Sequence, residues 1–106
     1  MTKQAMRYFC RHYLPRAVDW FNWRASPLLA GSLASLPPAC VLTAGYDPLV
    51  DEGKAYADRL AREGVNTEFR DSPDMIHGFI TMGRVLGTAS AALEGCARAL
   101  RASWGT

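Results

Sequence analysis

From Leu36 to Glu52 the chain reads L-P-P-A-C-V-L-T-A-G-Y-D-P-L-V-D-E, and this stretch restricts the folds open to it. Ala39 to Ala44 is apolar at every position but Thr43. Such a run suits a strand covered on both faces, as in a parallel α/β sheet. Pro37-Pro38 stiffens its approach, and Gly45 stops it with Asp47 just beyond. Asp51 and Glu52 then open a helix that runs to about Glu63, with Arg59 and Arg62 in its last turn, as the helix dipole favours. Asp51 and Glu52 are assigned to capping that helix rather than to chemistry. Tyr56 and Leu60, spaced i, i+4, are assigned to the face on the sheet, and Gly64 to the C′ position. Val65 to Arg70 alternates: Val65, Thr67 and Phe69 on one side, Asn66, Glu68 and Arg70 on the other. That pattern predicts a half-exposed strand near a sheet edge. Ser72-Pro73 ends it, and the loop D-M-I-H-G-F follows from Asp74 to Phe79.

Strand, helix, strand in this order predicts a βαβ unit, whose two strands lie parallel. Parallel strands finish at the same edge of a sheet. Asp47 lies just past the first strand and His77 in the loop past the second. Neighbouring strands are about 4.8 Å apart, so both side chains can converge on one crevice, at the carboxyl edge where α/β sheets build their sites. An antiparallel pair would hold them roughly 20 Å apart. A carboxylate beside an imidazole fixes its tautomer and stabilises the imidazolium, leaving the other ring nitrogen as a general base. Gly78 lets the loop turn tightly after the histidine. Spacing alone leaves a second possibility, an unrelated carboxylate and an isolated loop histidine.

Thr2 to Leu14 reads as a helix with Thr2 as N-cap, Met6, Phe9, Cys10 and Tyr13 as an apolar stripe, and Pro15 as its stop. His12 is off that stripe and is assigned to solvent. Arg16 to Ser35 is less regular. Trp20, Phe21 and Trp23 crowd together there, and their burial is expected, on the preceding helix or over a cleft. Core packing and the lining of an acyl pocket remain alternatives. From about Arg84 to Ala102 a last helix carries Leu86, Ala89, Leu93, Ala97 and Leu100 on one face, weakened locally by Gly95. Residues 1–106 are expected to form a single domain, with a helix and aromatic segment over 1–35 and a βαβα unit over 36–106.

Charge and cysteine content exclude other classes. The net charge is +2 with acids and bases interspersed, which argues against a nucleic-acid partner. No apolar run is long enough to span a bilayer and no secretory segment is evident, so no membrane partner is expected. Cys10, Cys40 and Cys96 are odd in number and widely spaced, without C-x-x-C or metal-ligand spacing to His12 or His77. They are expected to be buried thiols in a reducing, cytoplasmic compartment, and no metal site is expected.

The motifs S-P-L-L-A (Ser26 to Ala30), L-P-P-A (Leu36 to Ala39), T-A-G-Y-D-P-L-V-D-E-G (Thr43 to Gly53), Y-A-D-R-L (Tyr56 to Leu60), E-G-V (Glu63 to Val65) and M-I-H-G-F (Met75 to Phe79) resemble the hormone-sensitive-lipase-like family of α/β-hydrolases. They follow that family's order and cover nearly the whole chain, but only the C-terminal third of the family. The resemblance implies a partial α/β-hydrolase fold, with the two strands matching the family's seventh and eighth. It also implies a carboxylic ester hydrolase working through an acyl-enzyme on small esters, with no cofactor. Asp47, in D-P-L, matches the catalytic acid, and His77, in H-G-F, the catalytic histidine. The order acid then histidine agrees with that fold.

The family's nucleophile motif G-x-S-x-G and its H-G-G-G oxyanion loop do not occur in the sequence. The expectation is therefore a C-terminal fragment that carries acid and base and is inactive alone. One alternative is a non-catalytic α/β module that self-associates. Another is one part of a split esterase. A first strand apolar on both faces expects neighbours on both sides, and this chain supplies one. Its bare edge is expected to be covered by a second copy, by swapped elements or by the aromatic segment folding back, and a homo-oligomer through that edge is expected.

Overall fold

The computed structural model describes residues 2–104. Strand β1 (Ala39–Ala44) and strand β2 (Thr67–Ser72) pair in parallel, with Ala39 opposite Thr67 and Ala44 opposite Ser72. Helix α2 (Val50–Arg62) connects them, helix α1 (Lys3–Tyr13) precedes them and helix α3 (Gly87–Trp104) follows. The α/β class, the βαβ unit and the flanking helices are those expected.

The twofold periodicity of β1 sorts its side chains between two layers. Ala39 and Val41 pack with Tyr56, Leu60, Val65 and Leu33 on the α2 side. Leu42 and Ala44 pack with Phe79, Ala89 and Ala92 on the α3 side. Thr43, the polar exception in the run, is also buried, and its hydroxyl donates to Oδ1 of Asp71 across the ladder at 2.9 Å.

Strand β2 begins and ends two residues later than the alternation predicts. Val65 is taken by the α2 terminus, where its amide donates to the carbonyl of Leu60, and its side chain enters the core. The ladder then continues through polar Asp71, which stays exposed and accepts from Thr43 across the strands.

Helix α3 presents the expected face only at its start, where Ala89 is buried and Leu86, just before it, packs on the core. Its buried residues are Ala89, Ala92 and Gly95, while Leu93 and Leu100 are 58% and 50% exposed. Small residues let the helix approach the sheet closely. At Gly95 a Cβ would meet the Arg70 guanidinium of β2 within 2.4 Å. The glycine expected to weaken the helix is where an arginine from the sheet crosses it.

The aromatic segment also departs from expectation. Helix α1 buries no residue, and Trp20, Phe21 and Trp23 are all exposed. The Trp20 side chain donates its Nε1–H to the carbonyl of Leu14 at 2.8 Å. Apolar area is buried only against a covering surface, and the two core clusters are built from the sheet, α2, α3, the chain around Leu33 and the His77 loop. The cysteines differ as well: Cys10 and Cys40 are exposed and Cys96 is half-buried.

The chain from Leu28 to Leu33 is strapped to the end of α2. Arg59 donates to the carbonyls of Leu28 and Ala30 and, through Nε–H, to Glu63 at 2.8 Å. Glu63 in turn accepts from the Leu33 amide at 2.9 Å. That amide, aided by Arg59, holds the Glu63 carboxyl below its ordinary value despite partial desolvation.

Candidate active site

Beyond β1 the chain folds back sharply. The Asp47 amide donates to the carbonyl of Ala44 at 3.1 Å. Oδ1 of Asp47 accepts from the Leu49 amide at 2.9 Å, an Asx turn that D-P-L encodes. Leu49 is the N-cap of α2 and offers no side-chain cap. Asp51 and Glu52 lie in the first turn, where the dipole favours them, but neither makes the capping hydrogen bond assigned to them.

The His77 loop is zipped to this rim by backbone. The Gly45 amide donates to the carbonyl of Ser72 at 2.9 Å, and the Tyr46 amide to that of Met75 at 3.0 Å. Gly45 is required for that approach, since a Cβ there would lie 2.0 Å from the Pro73 carbonyl oxygen. Gly78 has φ +79, a left-handed turn that reverses the chain after the histidine. Phe79, 4% exposed, then plugs into the cluster of Ala44, Ala89 and Ala92 and fixes the loop to the core.

These constraints bring Asp47 and His77 together. Nδ1–H of His77 donates to Oδ2 of Asp47 at 2.7 Å, with the Asp47 side chain 14% exposed and that of His77 39%. A carboxylate can only accept, so the bond assigns the ring proton to Nδ1 and leaves Nε2 for proton transfer. Asp47 is tied at both oxygens; His77 is tied at Nδ1 and its side chain stays partly exposed. His12 takes no part. Its Nδ1–H donates to the Tyr8 carbonyl at 2.8 Å on the exposed side of α1. Among the described residues no cluster of His, Cys, Asp or Glu is arranged to hold a metal ion, and no helix is long and apolar enough to cross a membrane.

Sequence reasoning did not find three supports of this pair: the Leu49 amide, the Gly45–Pro73 contact and the Phe79 anchor. The first two are backbone features, with D-P and the glycine after the strand as their only signals. Phe79 was visible as an apolar residue, but so were Met75 and Ile76 in the same loop.

Desolvation pushes the Asp47 carboxyl up, but the Leu49 amide and the His77 ring together outweigh it and hold the group below its ordinary 3.8. A carboxyl depressed in the folded state stabilises the fold above its unfolded value. That contribution shrinks as pH falls from about 4 through the lower folded value, and is gone below it. Asp47→Asn is therefore expected to flatten the acid limb of a stability-against-pH curve in that window. An unchanged acid limb in urea titrations of the variant would contradict the depressed carboxyl.

A sequence model of the alpha/beta hydrolase fold family matches residues 1–81, which include both Asp47 and His77. The chain belongs to the α/β-hydrolase family. Within it, relatives named as esterases or ester hydrolases place it with the hormone-sensitive-lipase-like kind. The carboxylic ester hydrolase LipN of Mycobacterium tuberculosis is 39% identical over 103 residues, 96% of this chain and 27% of LipN. LAE6, an alpha/beta hydrolase enzyme from the metagenome of Lake Arreo in Spain, is 46% identical with a TM-score of 0.92, over 99% of this chain and 33% of LAE6. A hyperthermophilic esterase from Pyrobaculum calidifontis is 36% identical with the same TM-score of 0.92, over 96% of this chain and 33% of that enzyme. The chain thus spans no more than a third of the length of these relatives. The α/β-hydrolase elements described here, two parallel strands and three helices, are a part of the fold that the longer relatives carry.

Proposed function

We propose that this α/β-hydrolase chain supplies the acid and the general base of a carboxylic ester hydrolase acting on small esters. The observation that carries the proposal is the 2.7 Å bond from His77 Nδ1–H to an Asp47 carboxylate whose other oxygen is already fixed by the Leu49 amide. With the imidazole so held, Nε2 takes the proton of a serine hydroxyl as its oxygen attacks the ester carbonyl. The tetrahedral intermediate collapses, the C–O bond to the alcohol breaks, and Nε2 returns the proton to the departing alkoxide. Water, activated at the same nitrogen, then releases the acid from the acyl-serine.

The serine is assigned to the part of the fold that the relatives carry and this sequence does not. No G-x-S-x-G occurs among the 106 residues. Ser26 donates its hydroxyl to the Trp20 carbonyl, Ser32 to Glu63 and Ser90 to the Gly83 carbonyl. Their partners support a structural role. In this proposal residues 1–106 work as one unit with no cofactor, in a reducing, cytoplasmic setting that suits free thiols at Cys10, Cys40 and Cys96.

The chain alone is expected to hydrolyse p-nitrophenyl butyrate no faster than buffer. Grafted in place of the matching third of the Lake Arreo enzyme, it is expected to support turnover. The proposal fails if the isolated chain turns over robustly and His77→Ala leaves the rate unchanged, or if the folded graft is inert.

Self-association of the chain is a second proposal, favoured by β1. Among the described residues that strand pairs with β2 alone, although its side chains pack on both faces of the sheet. The open edge offers unpaired backbone groups to a second copy. A dimer is expected in sedimentation at micromolar concentration, unaffected by Asp47→Asn; a strictly monomeric species would count against it.

A further inference from the structure

Cys40 on β1 and Cys96 on α3 line one groove of about 620 Å³, together with Pro38, Glu68 and Leu100. Helix α3 packs on the β1 face that carries Leu42 and Ala44, and by strand alternation Cys40 lies on that same face. Both thiols face this groove, and Cys96 is among the groups that act on the Cys40 thiol. Partial desolvation first, then the neighbouring Cys96 and Glu68, push the Cys40 thiol above its ordinary value, against a smaller opposing effect of Arg70. The pair stands apart from the reaction described above: Cys40 is near the start of β1, roughly 20 Å of extended chain before Asp47. Nothing in the ester chemistry uses either sulfur.

We propose that Cys40 and Cys96 are a reversible disulfide site, closed by a small-molecule disulfide of the glutathione type. Cys40 is exposed and meets the oxidant; Cys96, half-buried behind it, resolves. The Cys40 thiolate, its proton lost to solvent, attacks one sulfur of oxidised glutathione, forming a mixed disulfide and expelling one glutathione thiolate. The Cys96 thiolate then attacks the Cys40 sulfur. The Cys40–Cys96 bond forms, the bond to glutathione breaks, and a second glutathione thiolate leaves. Two protein thiols are oxidised and one glutathione disulfide is reduced to two thiols. The product staples α3 to the strand that leads to Asp47. A raised Cys40 thiol makes the first step slow at neutral pH and faster as pH rises. The titratable groups facing it are Glu68 and Arg70 from β2 and Cys96 from α3.

The test uses the full chain carrying Cys10→Ser, which removes the exposed thiol on α1. After treatment with oxidised glutathione in mildly alkaline buffer, the intact mass is expected to fall by two hydrogens with no glutathione retained. Peptide mapping should show Cys40 joined to Cys96, and dithiothreitol should reverse it. Adding Cys96→Ser should instead leave one glutathione on Cys40. Closing a loop of this length is expected to raise the thermal midpoint by roughly 10 °C over the reduced chain. Two stable glutathione adducts on the unlinked pair, no reaction at either cysteine, or closure as fast in denaturant as in buffer would each overturn the proposal.

Discussion

Gly45→Ala is expected to cost about 3 kcal/mol of stability and to remove the Asp47–His77 hydrogen bond. The added methyl would lie 2.0 Å from the Pro73 carbonyl oxygen and 2.6 Å from the Pro73 carbonyl carbon. Both are backbone atoms, so no side-chain rotation relieves the overlap. Either β1 or the His77 loop must move. Movement breaks the bonds from Gly45 to Ser72 and from Tyr46 to Met75, each worth about 1 kcal/mol net. It also withdraws His77, which is placed by the same loop. Gly31→Ala is the matched control, because a Cβ there meets nothing within 4 Å; it is expected to shift stability by no more than about 0.5 kcal/mol. Urea unfolding measures the cost, and the low-field proton resonance of His77 Nδ1–H reports the bond. A Gly45→Ala chain that keeps both would show that the rim is looser than the close approach implies.

Much of this fold was legible because the strongest signals were local and agreed with one another. The Ala39–Ala44 run, the acids and arginines at the two ends of α2, and Gly64 after it each fixed an element without reference to the rest. The boundaries of β2 were not legible, since they depend on a cross-strand partner. Asp71 extends the strand opposite Thr43, whose hydroxyl donates to its carboxylate. The face of α3 was misjudged for a related reason. Periodicity pointed to Leu93 and Leu100, whereas the sheet accepts a helix there only through Ala89, Ala92 and Gly95, with Arg70 lying across the last. In α1 and the aromatic segment, composition gave the apolar character correctly, but burial needs an opposing surface that a helical stripe does not specify.

The site was legible through topology. Once two strands are parallel and consecutive, groups just past their ends share a rim; that made the meeting of Asp47 and His77 possible, and the family resemblance singled the two residues out. What could not be read was how tightly they are held. The Asx turn at Leu49, the Gly45–Pro73 approach and the burial of Phe79 are relations between distant backbone segments or between a loop and a core. Each leaves only a single-residue trace in the sequence.

In the graft on the Lake Arreo enzyme, Asp47→Asn is expected to cut kcat by roughly 10³- to 10⁴-fold with little change in KM. The Leu49 amide decides the outcome. It needs an oxygen acceptor at the Oδ1 position, so the asparagine oxygen takes that place and its NH2 is turned toward His77. An NH2 donates, so Nδ1 of the ring must accept, and the proton moves to Nε2. The nitrogen that should take the serine proton then already carries one. The variant keeps nearly the same shape and fold yet holds the wrong tautomer, which is why the loss belongs to kcat. His77→Ala is expected to lose at least as much, because it removes the base itself rather than its orientation. Burst kinetics with p-nitrophenyl butyrate separates acylation from binding. An Asp47→Asn graft retaining more than about a tenth of the parent kcat would show that the 2.7 Å bond is structural, and would take the acid's role in hydrolysis from Asp47.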